Sequence, residues 1–564
     1  MREHLTYVAS TTGSLRQQAE RTQLTRKSLA SFTTIVTMPL NDPNTNRLLN
    51  LIRDSFRVRK NHDPTYVDIG DNLARISAPQ HQILFGRRGS GKSCLMVHYL
   101  NRAQKSGVLP VYILADEYKK LTYPDILIRL LIQIEEELLK SQSPVFQIFR
   151  RQSRLRRSLK ALRQLLTAPM TADVVEDKKR ASSESMGAEI EKSGVAKATL
   201  GHRAEDSFAR TSTFKEQKLE ALERELHDHK QAIDQFIVDS AEGRACLLLD
   251  DFYLLPRPWQ PDIIDYLHRL LRDTHLYFKA STIRHRSTLS RNHPQTIGVE
   301  LSQDVEELNL DKTLNDVEAT QGYLSSMINL MGKKVDIPEV TQSHFNRDAI
   351  QALTLASGGV PRDFLNIFVH AVEAAVTAGV FNWLTPKWIW KGAGRLTYQT
   401  KLSHLREDAD ESTPGIERVF VDLLRFGLRE KGKTTFLISQ DEAQHYPEQH
   451  EVIQQLMDMK LIHVVEQDTS AASGRQGRYE AYTLDFSLFM EPRRRNIEIS
   501  EFWVRGEDSH KKGVRESPVY PLERLQQAFS GSENVRPEEV IEQLIPEDAN
   551  DLIEKPKQGV LFEM

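Results

Sequence analysis

From about residue 33 to 145, short continuous apolar runs alternate with stretches that carry hydrophobic residues at helical spacing. A helix-period stretch around Thr45–Arg57 precedes the run His81–Phe85, in which Ile83-Leu84-Phe85 reads as a buried strand. A helix with Leu95, Met96, Val97, Tyr99 and Leu100 then extends to about Gln104. A second strand, Leu109–Leu114, leads into a helix over Tyr123–Leu139 whose Ile126, Leu127, Leu130, Leu131 and Ile134 share one face. Uninterrupted apolar strands between amphipathic helices predict an α/β fold, with a parallel sheet covered by helices on both faces.

That rhythm breaks at 145–240, which reads as an insertion between the second and third strands. Residues 147–166 form a basic helical pattern with Leu155, Leu159, Leu162 and Leu166 on one side. Residues 170–212 are aperiodic and rich in Ala, Ser, Glu and Lys, which predicts disorder. A charged helix, Phe214–Asp239, returns to the sheet. The strand pattern resumes at Ala245–Leu249, followed by a helix Pro261–Arg272, a strand Leu276–Thr282 and a last strand near Val305–Leu310. The expected organisation is therefore a core at 35–314, a helical lid at 315–400 and a compact unit at 414–490 beyond the charged linker Glu407–Thr413. In that unit helices, a short strand Thr434–Ile438, the helix Glu448–Met459 and a ribbon (Leu461–Glu466 with Tyr479–Leu484) follow the order of a winged helix. Residues 1–34 read as a disordered or docked tail and 505–564 as a flexible one.

Composition sharpens this only locally. The 564 residues suggest two to four domains, and 39 % hydrophobic with 27 % charged residues describes a globular chain. A formal net charge of −3 gives no global bias toward nucleic acid. The two cysteines, Cys94 and Cys246, read as small apolar residues of a reducing, cytoplasmic setting, and no apolar stretch approaches a membrane span.

The chemistry sits at strand ends. Gly86-Arg87-Arg88-Gly89-Ser90-Gly91-Lys92-Ser93 follows the strand 83–85 and opens a helix. A glycine-rich turn there aims successive N–H groups at one point, which suits polyphosphate. Lys92 would reach the β/γ-phosphates and Ser93 would ligate Mg²⁺, with Cys94 next in the cradle. The strand Cys246-Leu247-Leu248-Leu249 ends in Asp250-Asp251. Asp250 would hold the Mg²⁺ shell and Asp251 would orient and deprotonate a water. Ser281, Thr282 and Arg284 end the next strand, where hydroxyls and a cation would meet a γ-phosphate. Ser357-Gly358-Gly359-Val360-Pro361-Arg362 opens a lid helix from which Arg362 would reach back over the nucleotide.

In these motifs the chain resembles the AAA+ superfamily, specifically its Orc1/Cdc6-like ATPase branch. Gly86–Ser93 matches Walker A, Leu247–Asp251 Walker B, Ser281–Arg284 lies at sensor 1 and Gly358–Arg362 at sensor 2. Leu384-Thr385-Pro386 before Trp388 is similar to the start of that branch's last lid helix. The resemblance spans roughly residues 40–490 and implies an ATP- and Mg²⁺-dependent hydrolase of the ASCE P-loop type. It also implies self-association or a partner protein, in settings such as mobile-element handling or phage defense. Asp250-Asp251 departs from the usual Asp-Glu; an acid one methylene shorter implies slow turnover. With Thr282-Ile283-Arg284 the pair also resembles STAND signalling ATPases, which use nucleotide as a latch.

Whether DNA is the target stays open on the residues. Arg150, Arg151, Arg154, Arg156, Arg157, Lys160 and Arg163 line one helix with no acid between Leu138 and Ala172, a candidate phosphate-binding face. The acidic helix with Glu216, Glu220, Glu223, Glu225 and Asp228 is the competing partner for those charges. Residues 414–485 carry eight basic and twelve acidic side chains. There Arg475 and Arg478 at the ribbon turn are candidates for DNA, while the helix with Glu448, Glu451 and Asp458 suits protein.

Overall fold

In the computed structural model, residues 38–57, 64–68, 70–141, 153–167, 198–292, 295–396, 400–403, 405, 415–472, 476–488, 498–504, 513–530 and 536–542 are described. Seven strands precede the lid: β1 (Gln82–Phe85), β2 (Leu109–Leu114), β3 (Ala245–Asp250), β4 (Leu276–Thr282), β5 (Ser290–Arg291), β6 (Ile297–Gly298) and β7 (Glu306–Asn309). Five of them form one parallel sheet in the order β2-β3-β4-β1-β7, and β5 with β6 makes a two-residue ribbon. β1 and β2 are consecutive in the chain but two strands apart in the sheet. The loop after β1 therefore opens at a topological switch point, outside the carboxyl ends of the strands.

Alternate residues of each strand face opposite ways, and each face is buried. Ile83, Phe85, Val111, Ile113, Leu247, Leu249 and Phe278 meet helices Asp125–Ser141 and Gln260–Leu271 on one side. Leu84, Tyr112, Cys246, Leu248 and Leu308 meet the helix Lys92–Lys105 on the other. This is the α/β P-loop arrangement, and its sheet residues match the strands expected from the sequence.

The insertion is built onto the first face. Leu155, Leu159 and Leu162 of the helix 153–167 join the same cluster as Leu222, Ile233, Phe236 and Ile237. Ser158 Oγ donates to buried Glu135 Oε1 at 2.5 Å and lies 2.5 Å from His229 Nδ1. The return helix is longer than expected, running from Ala198 to Val238, so 198–212 is helical where disorder was expected; 170–197 lies outside the described residues. The low hydrophobicity of that stretch had masked the helix-forming Ala, Glu and Arg of 198–212. The basic helix is paired at Arg163 with Glu136 (2.7 Å), and Glu223 of the acidic helix turns instead to Arg269 (2.7 Å).

Two boundaries differ from expectation. The helix Pro43–Ser55 does not cover the sheet. Its Leu48, Leu49 and Ile52 pack in the lid cluster with Ile328, Leu353 and Phe368, and Thr45 Oγ1 lies 2.9 Å from His344 Nε2. The lid around it comprises Val317–Lys333, Ala349–Ala356, Pro361–Thr377 and Pro386–Leu396.

The second difference is at the C-terminal unit. Ile416–Leu424, β8 (Thr435–Ser439), Gln440–His445, Pro447–Asp458, β9 (Ile462–Thr469) and β10 (Tyr479–Leu484) follow the winged-helix order, with antiparallel pairing β8-β10-β9. The segment expected to be a flexible tail completes this unit. Leu437 N–H donates to Pro518 O and Tyr520 N–H to Leu437 O, both at 2.8 Å. Tyr520, Leu522, Leu525 and Val540 are buried in its core. Arg524 makes paired hydrogen bonds to Asp422 (2.9 and 3.2 Å) and Glu430 (both 2.9 Å). The apolar words Val519-Tyr520-Pro521-Leu522 and the amphipathic helix Glu523–Ser530 carried that signal inside a polar stretch. Tyr520 stands edge-on to Phe426 at 5.0 Å and donates to Asp422 at 2.6 Å. Tyr520→Ala is expected to destabilise the C-terminal unit by about 3 kcal/mol, the usual cost of emptying an aromatic site. Urea unfolding followed by fluorescence measures it; an unchanged midpoint would make the packing of 513–530 incidental.

Candidate functional site

The phosphate loop is preshaped by backbone geometry. Gly89 and Gly91 have φ of +93° and +99°, and the space in front of Gly91 is open, whereas a Cβ on Gly89 would strike Arg362 Cβ at 2.8 Å. Lys92 begins the helix and is 5 % exposed, its ammonium donating to the carbonyls of Gly86 (2.6 Å) and Arg87 (3.2 Å). Burial pushes the Lys92 pKa down, opposed by the charges of Asp311, Asp251 and Asp250. Ser90 Oγ is buried without a partner. An unsatisfied hydroxyl, a lysine resting on its own loop and an open approach at Gly91 fit a polyphosphate.

The acids stand at the end of β3. Asp250 is buried; its Oδ1 accepts from Ser281 Oγ and its Oδ2 from Tyr112 O–H at 2.8 Å. Asp251 occupies a left-handed turn (φ 57°), its N–H donating to Ser281 Oγ at 2.9 Å. Burial and then the neighbouring Asp250 charge push the Asp251 carboxyl up to about 6, against the pull of Lys92, Arg88 and Arg362. Those three cations and the two carboxylates thus act on one another at one edge of the sheet. Asp250 and Ser93 are the oxygen donors that would hold Mg²⁺, and the surrounding hydroxyls suit a hard cation.

Ser281 is a positioning group, holding Asp250 and the Asp251 backbone together. Thr282 is hydrogen-bonded to Ser287. Arg284 is not extended over the loop: its guanidinium pairs with Glu307 and stacks on Phe85 at 4.0 Å. Arg362 lies beside the loop, its N–H donating to Gly89 O and its guanidinium to Phe56 O, both at 3.3 Å. Cys94 is half-buried with Sγ 3.5 Å from Thr65 O.

Arg87 departs from its expected place among the phosphate ligands. Its N–H donates to Asp311 Oδ1 (2.8 Å), and its side chain, 2 % exposed, turns away from the loop opening. The guanidinium donates to Asp311 Oδ1 (3.3 Å), Lys312 O (2.6 Å), Gly358 O (3.2 Å) and His463 Nδ1 (3.2 Å). A buried guanidinium needs that many acceptors, and the chain finds them in three separate units.

The acidic helix of the C-terminal unit is also occupied. His285 N–H donates to Asp458 Oδ2 at 3.0 Å, His285 Nδ1 lies 3.3 Å from Glu451, and Arg257 Nη2 is 3.7 Å from Glu451. Pro447–Asp458 thus docks on the turn that follows β4. Among the other nucleic-acid candidates, Arg154 and Arg157 are exposed on the helix 153–167, and Arg478 pairs with Asp468 across the ribbon. Arg150, Arg151 and Arg475 lie outside the described residues. Tyr112, Asp311 and His463 were not singled out in the sequence. Tyr112 reaches Asp250 through the β2–β3 register, and the other two depend on how distant units pack.

No protein-family model matches the chain, and no curated protein matches it. Among solved structures, the chain is similar to the Aeropyrum pernix Orc1 protein in complex with DNA at 14 % identity (TM-score 0.32), covering 75 % of this chain and 91 % of that one. It is similar to Cdc6p from Pyrobaculum aerophilum at 11 % (TM-score 0.33; 87 % and 98 %) and to a Walker-type ATPase of Pyrococcus abyssi at 12 % (TM-score 0.36; 76 % and 97 %). Similarity at this level leaves the function to the geometry.

A carboxyl raised to about 6 is protonated below that pH and ionised above it. If Asp251 is the base, kcat for nucleoside-triphosphate hydrolysis falls as pH decreases through about 6. A pH–rate profile from 5 to 8 on the native protein and on Asp251→Asn checks this, and a flat native profile removes Asp251 from the role.

Proposed function

We propose that the protein is an ATP-binding, ATP-hydrolysing switch. The observation that carries the reading is the meeting of Lys92, Asp250, Asp251 and Ser281 at the carboxyl ends of β1, β3 and β4, facing a loop with open space at Gly91. In this reading the loop amides and Lys92 bind the triphosphate, and Asp251 takes a proton from the attacking water. Ser281 and Tyr112 fix the Asp250 carboxylate, and Arg362 places a lid cation beside the terminal phosphate. Bound Mg²⁺, held by Ser93 and Asp250, would supply charge neutralisation.

The output we assign is to DNA or a DNA-bound protein complex, with the exposed cations of helix 153–167 as the contact surface. A second reading, a signalling latch whose C-terminal unit binds protein, is favoured by one observation: Pro447–Asp458 is engaged with the core through Glu451 and Asp458.

Lys92→Ala is expected to abolish ATP binding by calorimetry, while Asp251→Asn binds ATP and turns it over at least about 100-fold more slowly. Binding unaffected by Lys92→Ala would overturn the site. For the output, ATPase stimulated by duplex or single-stranded DNA at low salt, and lost as salt rises, supports the DNA reading. No DNA effect at low salt supports the latch.

A further inference from the structure

The phosphate loop and the C-terminal unit are joined by a continuous, largely buried chain of charged and polar groups. Arg87 Nη1 donates to His463 Nδ1 at 3.2 Å, which leaves Nε2 as the protonated ring nitrogen, donating to Asp485 Oδ2 at 2.7 Å. Lys401 Nζ donates to the same Asp485 oxygen at 2.7 Å and lies 3.8 Å from Asp363 Oδ2. Asp363 Oδ1 accepts from Lys460 Nζ at 2.9 Å. Every member except Lys460 is nine-tenths or more shielded from solvent. The chain runs from the phosphate loop to the start of β9 at His463 and the residue after β10 at Asp485, then through Lys401 to Asp363 of the lid and on to Lys460, just before β9. Packing leaves no slack, since a Cβ on Gly358 would meet the His463 ring at 2.0 Å.

This chain shares an atom group with the nucleotide seat. Lys92 rests on the carbonyl of Arg87. A phosphate that draws Lys92 off that carbonyl would free the peptide unit whose side chain holds the seam. On the far side of the seam, Glu451 and Asp458 face the core at His285. Both docked residues are acids, so the surface held against the core is acidic, while Glu448 of the same helix is exposed.

We propose that Arg87 is a strut rather than a phosphate ligand: it transmits occupancy of the phosphate loop to His463, and its seam keeps the acidic face of Pro447–Asp458 closed against the core. The proposal rests on nucleotide binding at the loop. Loss of one charged hydrogen bond in such a seam raises the rate of local opening about tenfold or more.

The test is hydrogen exchange of the full chain over 447–469, without ligand and with MgADP or MgATPγS. In the native protein, nucleotide changes exchange across this segment. Arg87→Met raises exchange there without ligand and abolishes the response to nucleotide. His463→Asn, on the far side of the seam and away from the phosphate loop, does the same while still binding nucleotide, so the test survives if Arg87→Met does not fold. If His463→Asn keeps both native exchange and the nucleotide response, the strut is overturned. Native protein that binds nucleotide without any change at 447–469 removes the coupling alone. Native protein that binds no nucleotide removes the proposed function with it.

Discussion

A guanidinium placed almost wholly out of water constrains the arrangement of the whole molecule. Arg87 cannot shed its charge, so each N–H must find an acceptor. The acceptors come from the end of the β7 segment, from the lid turn at Gly358 and from His463 in the ribbon. Breaking such a buried set by removing one partner typically costs about 3–5 kcal/mol. The core, lid and C-terminal unit therefore hold a defined relation through a side chain that the phosphate-loop pattern leaves unspecified. Burial keeps His463 neutral, against the pull of Asp485; burial also works against Asp485, yet Lys401 and His463 hold its carboxyl well below the usual range. One uncharged link thus sits between the Arg87 cation and the Asp485–Lys401 pair.

The edge of the sheet at Asp250 and Asp251 shows a related economy of charge. Two adjacent carboxylates would repel each other, and the fold separates their roles by environment. Asp250 receives two hydroxyl hydrogen bonds, whereas Asp251 sits in a left-handed turn where burial raises its pKa. Lys92 places two of its three donors on loop carbonyls, so an anion in the loop would compete with bonds already made or take the third donor.

The sheet was legible in the sequence because its strands are buried on both faces and read as unbroken apolar runs: Ile83-Leu84-Phe85 and Cys246-Leu247-Leu248-Leu249 need no tertiary information. The loop at Gly86–Ser93 and the acids at 250 and 251 were legible because their spacing is local. Arg284, Arg87 and Glu451 were not. Their partners, Glu307, His463 and His285, lie up to hundreds of residues away, and local pattern does not encode such pairings. The sequence places the helix Pro43–Ser55 within the core segment, not with the lid, for the same reason: its apolar stripe says that it is buried, not against what. The 513–530 segment was missed because average polarity conceals four well-placed apolar residues.

That segment also determines where the chain can be cut. Tyr520 closes one side of an aromatic cluster with Phe426 and Phe436, and Pro518 and Tyr520 cap the open edge of β8 at Leu437. A fragment ending near residue 490, where the sequence alone draws the boundary, would bare those rings together with an unpaired strand edge. Such a surface favours intermolecular pairing. A soluble C-terminal fragment therefore has to extend past Ser530.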